Sequence, residues 1–554
     1  QQLPVSVTAG RVTAGDHPRG TLHWSWQVAG RTWRYDTTVG LVRRGDAWRA
    51  TWQPAVVQPR LRQGWTLQTT TLNAERGDIL GAGGVPLVTP RPVIRFGIDK
   101  THVAAASVAG SARRLADLVG IDATSYVKQV KASGPQAFVE GIVFRRDAVP
   151  TKVMNGYPHI PGAVGISDHL PLAPTHDFAR AILGTVGPAT AEIVKQSKGK
   201  VTAGDDVGLS GLEARYDEQL RGTKGIEVVA VDPHGNRTRL FSTPPVAGEP
   251  LRTTLDPRLQ QLAEQVLSGV GPASALVAVR PSDGHLLALA DGPGTNGYDI
   301  AGYGRFAPGS TFKVVSSLAL LRSGLTPRST VHCVPRTVVN GKEFKNYSDY
   351  PASGLGDIPL IEALANSCNT AFIGERHRLH GDDLAQAAAA LGFGVDHDLG
   401  FPAYFGQVPP LAGETEGAAD MIGQGRVLAS PMAMATVVAS VVAGHAVLPV
   451  LLPDHTPRAQ PPAHPLTRSE DAALRQMMRA VVTRGSGVLL GDLPGPPAIA
   501  KTGTAEFGDK PPLPTHAWMV AGHGDLAVAV FVDRGASGSG TAGPLLKRFL
   551  EGAH

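Results

Sequence analysis

Three stretches near the start of the chain alternate apolar or aromatic with polar residues: TLHWSWQVAG (21–30), RTWRYDTTVGLVRRG (31–45) and AWRATWQPAVV (47–57). A period of two places every second side chain on one face of a strand, and Gly30, Gly45 and Asp46 supply turns. The opening segment therefore reads as a curved antiparallel sheet with an aromatic face. Its Trp side chains are read as core, although such a face can also bind a ligand. From about residue 64 to 248 the pattern is mixed. Helical stretches such as THVAAASVAGSARRLADLVG (101–120) and ATAEIVKQSKG (189–199) alternate with short strands and Gly/Pro turns. STPPVAGEP (242–250) has the composition of a linker. Beyond it, Asp256 and Pro257 open an amphipathic helix as N-cap and first helical residue. SALVAVRP (274–281) and HLLALAD (285–291) predict a strand pair around Ser282-Asp283-Gly284. Apolar helices follow in TFKVVSSLALLRSG (311–324) and ASPMAMATVVASVVAG (429–444). HAWMVAG (516–522) and DLAVAVFVD (525–533) predict two further strands. HTPRAQPPAHP (455–465) is a Pro-rich loop without evident chemistry.

A chain of 554 residues exceeds what one hydrophobic core organises, so two to four domains are expected. Its charge of +5 comes from scattered Lys and Arg, which argues for a solvated surface and against a nucleic-acid site. No window holds the ~18–20 consecutive apolar residues of a membrane span. The chain starts at Gln1 within strand-like sequence, consistent with a cleaved or cloned-away N-terminus that once carried an anchor. Its two cysteines, Cys333 and Cys368, lack zinc-ligand spacing, and whether they pair is open.

Candidate chemistry begins in FAPGSTFKVVSSLALL (306–321). Ser310 and Lys313 are one helical turn apart, so the amine can reach the hydroxyl. The apolar residues behind them predict a buried helix, and burying an amine is costly unless it has a task. A hydroxyl, an adjacent base and the positive end of a helix make an activated nucleophile. S-x-x-K alone equally describes an N-cap serine beside a snorkelling lysine. Two further motifs decide between these readings. IPLIEALANSCNTAF (358–372) runs from a short helix into Ser367-Cys368-Asn369, which can set one hydroxyl and one amide on a loop facing the same pocket. PPAIAKTGTAEFG (496–508) reads as a strand carrying Lys501, Thr502, Gly503 and Thr504. Gly503 lets a ligand backbone lie along the strand edge, and Lys501 with the hydroxyls of Thr502 and Thr504 suits a carboxylate.

S-x-x-K, S-x-N and K-T-G in this chain order are the signature of serine β-lactamases and penicillin-binding proteins. Other stretches resemble the class B penicillin-binding proteins in particular. NAERGDILGAGGVPLV (73–88) is similar to the Arg-Gly-x-Ile motif of their non-catalytic region, with Gly81-Ala82 where Asp-Arg is usual. That replacement puts a salt bridge of the family in question. GLSGLEARYDEQLRGTKG (208–225) resembles the second motif of that region, and MIGQGRVLASPMAMA (421–435) the stretch before a core helix of the transpeptidase domain. The β-rich start looks like the end of an NTF2-like domain. The resemblance implies a multidomain α+β chain in three parts. A partial NTF2-like domain occupies 1–65 and a dimerisation or pedestal domain 66–248. A transpeptidase domain, an antiparallel sheet flanked by helices plus an all-helical subdomain, occupies 249–554.

It further implies a peptidoglycan D,D-transpeptidase acting on D-Ala-D-Ala stem peptides and acylated by β-lactams, without metal or cofactor. Ser310 is then the nucleophile and Lys313, kept neutral by burial and by Lys501, its base. Backbone N–H groups of Ser310 and Thr504 form the oxyanion hole. Ser367 relays a proton, Asn369 holds the substrate amide, and Lys501, Thr502, Gly503 and Thr504 line the carboxylate site. The expected location is the outer face of the bacterial cytoplasmic membrane, with a SEDS-family glycosyltransferase as partner. The alternatives are a β-lactamase or D,D-carboxypeptidase of the same fold, or a non-catalytic scaffold. A class A β-lactamase needs a Glu-x-x-Leu-Asn loop after S-x-N, whereas Glu362 and Asn366 precede it. A scaffold predicts a damaged motif, and none is damaged.

Overall fold

The computed structural model describes residues 4–28, 30–411, 413–455, 458–510 and 512–553. Thr456 and Pro457 of the Pro-rich loop lie outside the described residues. The chain forms two compact units, one from Gln1–Asp78 with Tyr216–Leu251, the other from Ile79–Arg215 with Arg252–His554.

In the first unit the alternating stretches form an antiparallel sheet of Val5–Thr13, Arg19–Val28, Arg31–Arg44 and Ala47–Ala50, in that order. Its aromatic face is a ladder. Trp24 stacks on Trp26 at 6.0 Å, and Trp33 on Phe241 at 5.5 Å. Trp33 is core where it meets Val228, whereas Trp48 and Trp52 are exposed, so the reading of the Trp side chains as core holds only in part. Thr66–Leu72 pairs with Gly225–Val231, so the expected boundary near residue 65 falls inside this unit. Arg76 of the Arg-Gly-x-Ile motif donates to Asp217 at 2.8 Å, so an ion pair is made here despite Gly81-Ala82.

The second unit holds two bodies of secondary structure. In the first, Pro86–Asp99 is flanked by Phe138–Arg145 and Ala163–Leu172, and the helices Val108–Val119 and Ala123–Ala132 cover the sheet. In the second, five antiparallel strands build one sheet: β1 (Ser274–Val279), β2 (Leu286–Asp291), β3 (Ile499–Glu506), β4 (Thr515–Gly522) and β5 (Ala527–Val532). Their order is β2-β1-β5-β4-β3, which leaves β3 at the edge. Helices α1 (Pro257–Leu267) and α7 (Gly543–Ala553) close one face through Leu259, Ala263, Leu546 and Phe549. Asp256 caps α1 by accepting from the N–H groups of Arg258 and Leu259.

The opposite face carries α2 (Lys313–Arg322), α3 (Leu360–Ala365), α4 (Asn369–Gly374) and α5 (Pro431–Ala443), with α6 (Arg468–Arg484) packed on α3 and β3. All but the last two residues of α2 are buried, as an all-round apolar helix requires. Among the described residues no helix is long and apolar enough to cross a membrane. The cysteines form a disulfide, which settles the open pairing. Closing a loop of that length restricts the unfolded chain, a contribution of about 4 kcal/mol.

Two glycines fix the turn before α2. Gly309 has φ +53°, and a Cβ there would lie 2.6 Å from the Thr504 carbonyl oxygen. Gly423 (φ +70°) approaches the Gly309 carbonyl so closely that its own Cβ would overlap it, and the Gly309 N–H donates to the Gly423 carbonyl at 2.8 Å. Gly423→Ala should therefore destabilise the chain by about 2–4 kcal/mol. Gly417→Ala, where a Cβ meets only Leu411 at 3.6 Å, is the control. Equal melting temperatures for the two variants would refute this account of the turn.

Candidate functional site

The 3-10 turn Gly309–Phe312 delivers Ser310 half-buried at the head of α2. Thr311 anchors this turn by donating to the Pro308 carbonyl at 2.7 Å, and Trp518 Nε1 donates to Ala307 at 3.0 Å. At the first position of α2, the Lys313 side chain is fully buried. Its Nζ lies 3.0 Å from Ser310 Oγ, 2.9 Å from the Ser367 carbonyl, 3.3 Å from Ser367 Oγ and 2.6 Å from Asn369 Oδ1. Lys501 is also fully buried, and donates to Ser367 Oγ and to the Thr502 carbonyl, both at 2.9 Å.

The hydrogen-bond inventory determines which way this network runs. Asn369 Nδ2 donates to the Lys345 carbonyl at 2.8 Å, which turns Oδ1 toward Lys313. Asn369 Oδ1 and the Ser367 carbonyl can only accept. A neutral Lys313 satisfies both with its two N–H groups and is left with one lone pair, facing the Ser310 hydroxyl. Burial, and then the neighbouring Lys501, hold the Lys313 amine well below the usual lysine range. Burial brings Lys501 down to about 7. Ser367 sits between the two amines with φ +59°. That left-handed conformation costs an L-residue roughly 1–3 kcal/mol and persists only where surroundings enforce it.

The three motifs are brought together, with three differences from the expectation. Asn369 is not on a loop: it is the first residue of α4, which fixes its direction. The bare Cα of Gly503 makes room for the turn carrying Ser310, because a Cβ there would lie 2.8 Å from Thr311 Cγ2 and 2.9 Å from the Pro308 carbonyl. Strand alternation also separates Lys501 from the two threonines. Lys501 pairs in register with Val520, Thr502 with Met519 and Thr504 with Ala517, so the hydroxyls leave the opposite face of β3. Thr502 Oγ1 is 2.6 Å from Ser486 Oγ, and Thr504 Oγ1 accepts from the Gly538 N–H at 3.2 Å.

Several participants carry no sequence signal. Buried Asn346 accepts from the N–H groups of Asn369 at 2.8 Å and Thr370 at 3.3 Å, and donates to the Val334 carbonyl at 3.0 Å. It lies in KEFKNYSDYP, which has no periodicity to mark it. Ser486 was likewise unmarked. Glu362, whose spacing to Asn366 invited comparison with a β-lactamase loop, is paired with Arg484 at 2.7 Å.

Comparison with known proteins adds an independent line. The family model described as penicillin binding protein transpeptidase domain matches residues 274–551, half of the chain. The penicillin-binding protein dimerisation domain matches 71–253. The chain is 28% identical over 353 residues to the peptidoglycan D,D-transpeptidase PbpA of Mycobacterium tuberculosis, covering 54% of this chain and 72% of that protein. Similarity to penicillin-binding protein 3 of Bacillus subtilis is 24% identity, over 96% of this chain and 86% of that protein. A Helicobacter pylori structure described as a complex between PBP2 and MreC shares the fold, with TM-score 0.68 at 19% identity, over 87% of this chain and 98% of the other.

The two buried amines give a signed pH dependence. Each is favoured neutral in the folded chain, Lys501 above about 7, and each is charged in the unfolded chain up to about pH 10.4. Unfolding in that window takes up protons, so stability should rise with pH from about 7 to 9, by up to about 1.4 kcal/mol per pH unit for each lysine. Thermal unfolding against pH measures this, and Lys313→Met should remove about half of the slope. A slope untouched by that substitution would show that Lys313 is charged in the fold.

Proposed function

The chain belongs to the penicillin-binding protein transpeptidase family, and from that premise we propose that it cross-links peptidoglycan through an acyl-enzyme on Ser310. The observation that carries the assignment is the placement of the buried Lys313 amine. Its Nζ lies 3.0 Å from Ser310 Oγ and against two acceptor-only oxygens, so in its neutral form it has a lone pair available for the Ser310 proton.

Ser310 Oγ attacks the carbonyl of the penultimate D-Ala of a stem peptide as its proton passes to Lys313. The resulting oxyanion is held by the backbone N–H groups of Ser310 and Thr504. A donor of this kind is worth roughly 2.7–4 kcal/mol in other acyl-transfer enzymes. The scissile C–N bond then breaks, and the departing D-Ala amine takes a proton through Ser367, whose hydroxyl touches both lysines. An amine from a second strand attacks the acyl carbonyl and gives up a proton to Lys313, the ester bond to Ser310 Oγ breaks, and Lys313 returns the proton to that oxygen as the cross-linked product leaves. Asn369 orients the substrate amide. The substrate lies along the free edge of β3, where Thr502 and Thr504 receive its carboxylate. Lys501, fully buried and already bonded to Ser367, contributes positive field rather than direct contact. A β-lactam acylates the same serine and stays, since the carboxylate that invited comparison with a deacylating one, Glu362, is held by Arg484.

A disulfide next to this chemistry suits an oxidising compartment, which supports placement on the outer face of the cytoplasmic membrane. Proteins of this class work with a membrane polymerase of the SEDS family, and the same partnership is proposed here. Cross-linking in cells followed by copurification tests it, and recovery of the chain without such a polymerase would reject it.

For the chemistry, Ser310→Ala should abolish covalent labelling by a fluorescent penicillin while the melting transition is kept. Lys313→Ala should slow acylation by about 10²–10⁴-fold. The labelled wild-type enzyme should release its acyl group very slowly. Retained labelling of Ser310→Ala refutes the nucleophile, and rapid turnover would identify a β-lactamase.

A further inference from the structure

Cys368 stands between Ser367 and Asn369, and its sulfur is bonded to Cys333 at the end of the short strand Thr330–Cys333. Other contacts hold the same turn against the segment after that strand. Thr370 Oγ1 donates to the Val334 carbonyl at 2.7 Å, and the Val334 N–H donates back to Thr370 Oγ1 at 3.0 Å. Asn346 ties the N–H groups of Asn369 and Thr370 to the Val334 carbonyl. On its other side the turn leaves α3 directly, with the Cys368 N–H donating to the Ala363 carbonyl at 2.8 Å. Ser367 is thus held between two fixed points in a left-handed backbone conformation.

What the turn holds is the orientation of the base. Of the four oxygens around Lys313 Nζ, three belong to Ser367 and Asn369. The Lys501 amine reaches Ser367 Oγ as well. We infer that the Cys333–Cys368 disulfide is a positioning element of the active site, and that the chain reaches its full acylation rate only once these two thiols have been oxidised. The inference rests on the reading of Ser310 as nucleophile and Lys313 as base.

Oxidation requires an external disulfide of the kind carried by thiol–disulfide exchange proteins. One S–S bond breaks in the oxidant and one forms between Cys333 and Cys368. Two electrons and two protons pass to the oxidant, which leaves as two thiols. Both cysteines are fully buried, so the finished bond is out of reach of exchange reagents in the folded chain. Its state is therefore set during maturation, and it does not act as a reversible switch.

Without the bond, Ser367 relaxes from its left-handed conformation, and the Ser367 carbonyl and Asn369 Oδ1 withdraw from Lys313. Water replaces them, the amine regains hydration, and its pKa climbs back toward the ordinary lysine range. Acylation at neutral pH slows, and the rising limb of its pH profile moves to higher pH. A disulfide that only stabilised the fold would lower the melting temperature and leave that limb in place.

The test compares the oxidised enzyme with Cys333→Ala/Cys368→Ala, following acylation by a fluorescent penicillin from roughly pH 6 to 10. The double variant should acylate roughly ten- to a hundredfold more slowly at neutral pH while still unfolding cooperatively. Its rising limb should be displaced upward by about half a pH unit or more. Equal rates with the same limb would overturn the inference. If the variant does not fold, wild-type chain made in a reducing cytosol takes its place, its thiols counted by maleimide mass shift after denaturation. A reduced chain that also fails to fold overturns the inference, because the bond then serves the fold alone. The oxidised enzyme is the separate control: absence of labelling at Ser310 there rejects the underlying reading of the site, whatever the cysteines do.

Discussion

Two lysine amines share one water-excluded space, and their polar neighbours are hydroxyl, amide and carbonyl oxygens, with no carboxylate bonded to either amine among the described residues. Removing an ammonium ion from water without a counter-ion is among the most costly events in folding, and the usual escape is loss of the proton. The rest of the site depends on that escape. A surface lysine would stay charged near pH 7 and could not accept a proton from a serine. Here burial alone lowers both amines, and the proximity of Lys501 lowers Lys313 further.

Such a site has to be held open against its own cost, and the packing shows how. The apolar body of α2 keeps water from one side of Lys313. Gly309, Gly423 and Gly503 let three backbone segments approach closer than any side chain would permit, which seats the Ser310 turn between β3 and the stretch before α5. The disulfide and Asn346 fix the third wall. Because β3 is the sheet edge, its backbone presents groups that a peptide can meet as an added strand, directly beside the nucleophile.

The parts of this arrangement that the sequence made legible are those with a local signature. Alternation marked the strands, the Asp256-Pro257 pair marked the start of α1, and three short motifs in a fixed order marked Ser310, Lys313, Ser367, Asn369 and Lys501. What remained hidden depends on contacts across the fold. Asn346 acts through the N–H groups of residues 23 and 24 positions later, and nothing in its surroundings distinguishes it from a surface amide. The pairing of Cys333 with Cys368 needed the two segments to be placed side by side. Gly503 reads in the sequence as a place of close approach, and in the structure the chain's own turn at Pro308 and Thr311 lies against it. The first unit illustrates the same limit: only the pairing of Thr66–Leu72 with Gly225–Val231 shows to which body that segment belongs.

The coupling of the two amines gives the proposed cycle a direction. Lys501, at about 7, is partly charged under neutral conditions, and that nearby charge adds to burial in lowering Lys313. When Lys313 accepts the proton of Ser310, two positive charges face the same hydroxyl of Ser367. Their repulsion is greatest in this low-dielectric space, and it is relieved when the proton moves on through Ser367 Oγ to the departing amine. The second lysine thus keeps the first available as a base and makes it a poor place for the proton to stay. A single buried lysine would meet the first requirement and fail the second, which gives a physical reason for the site to hold two.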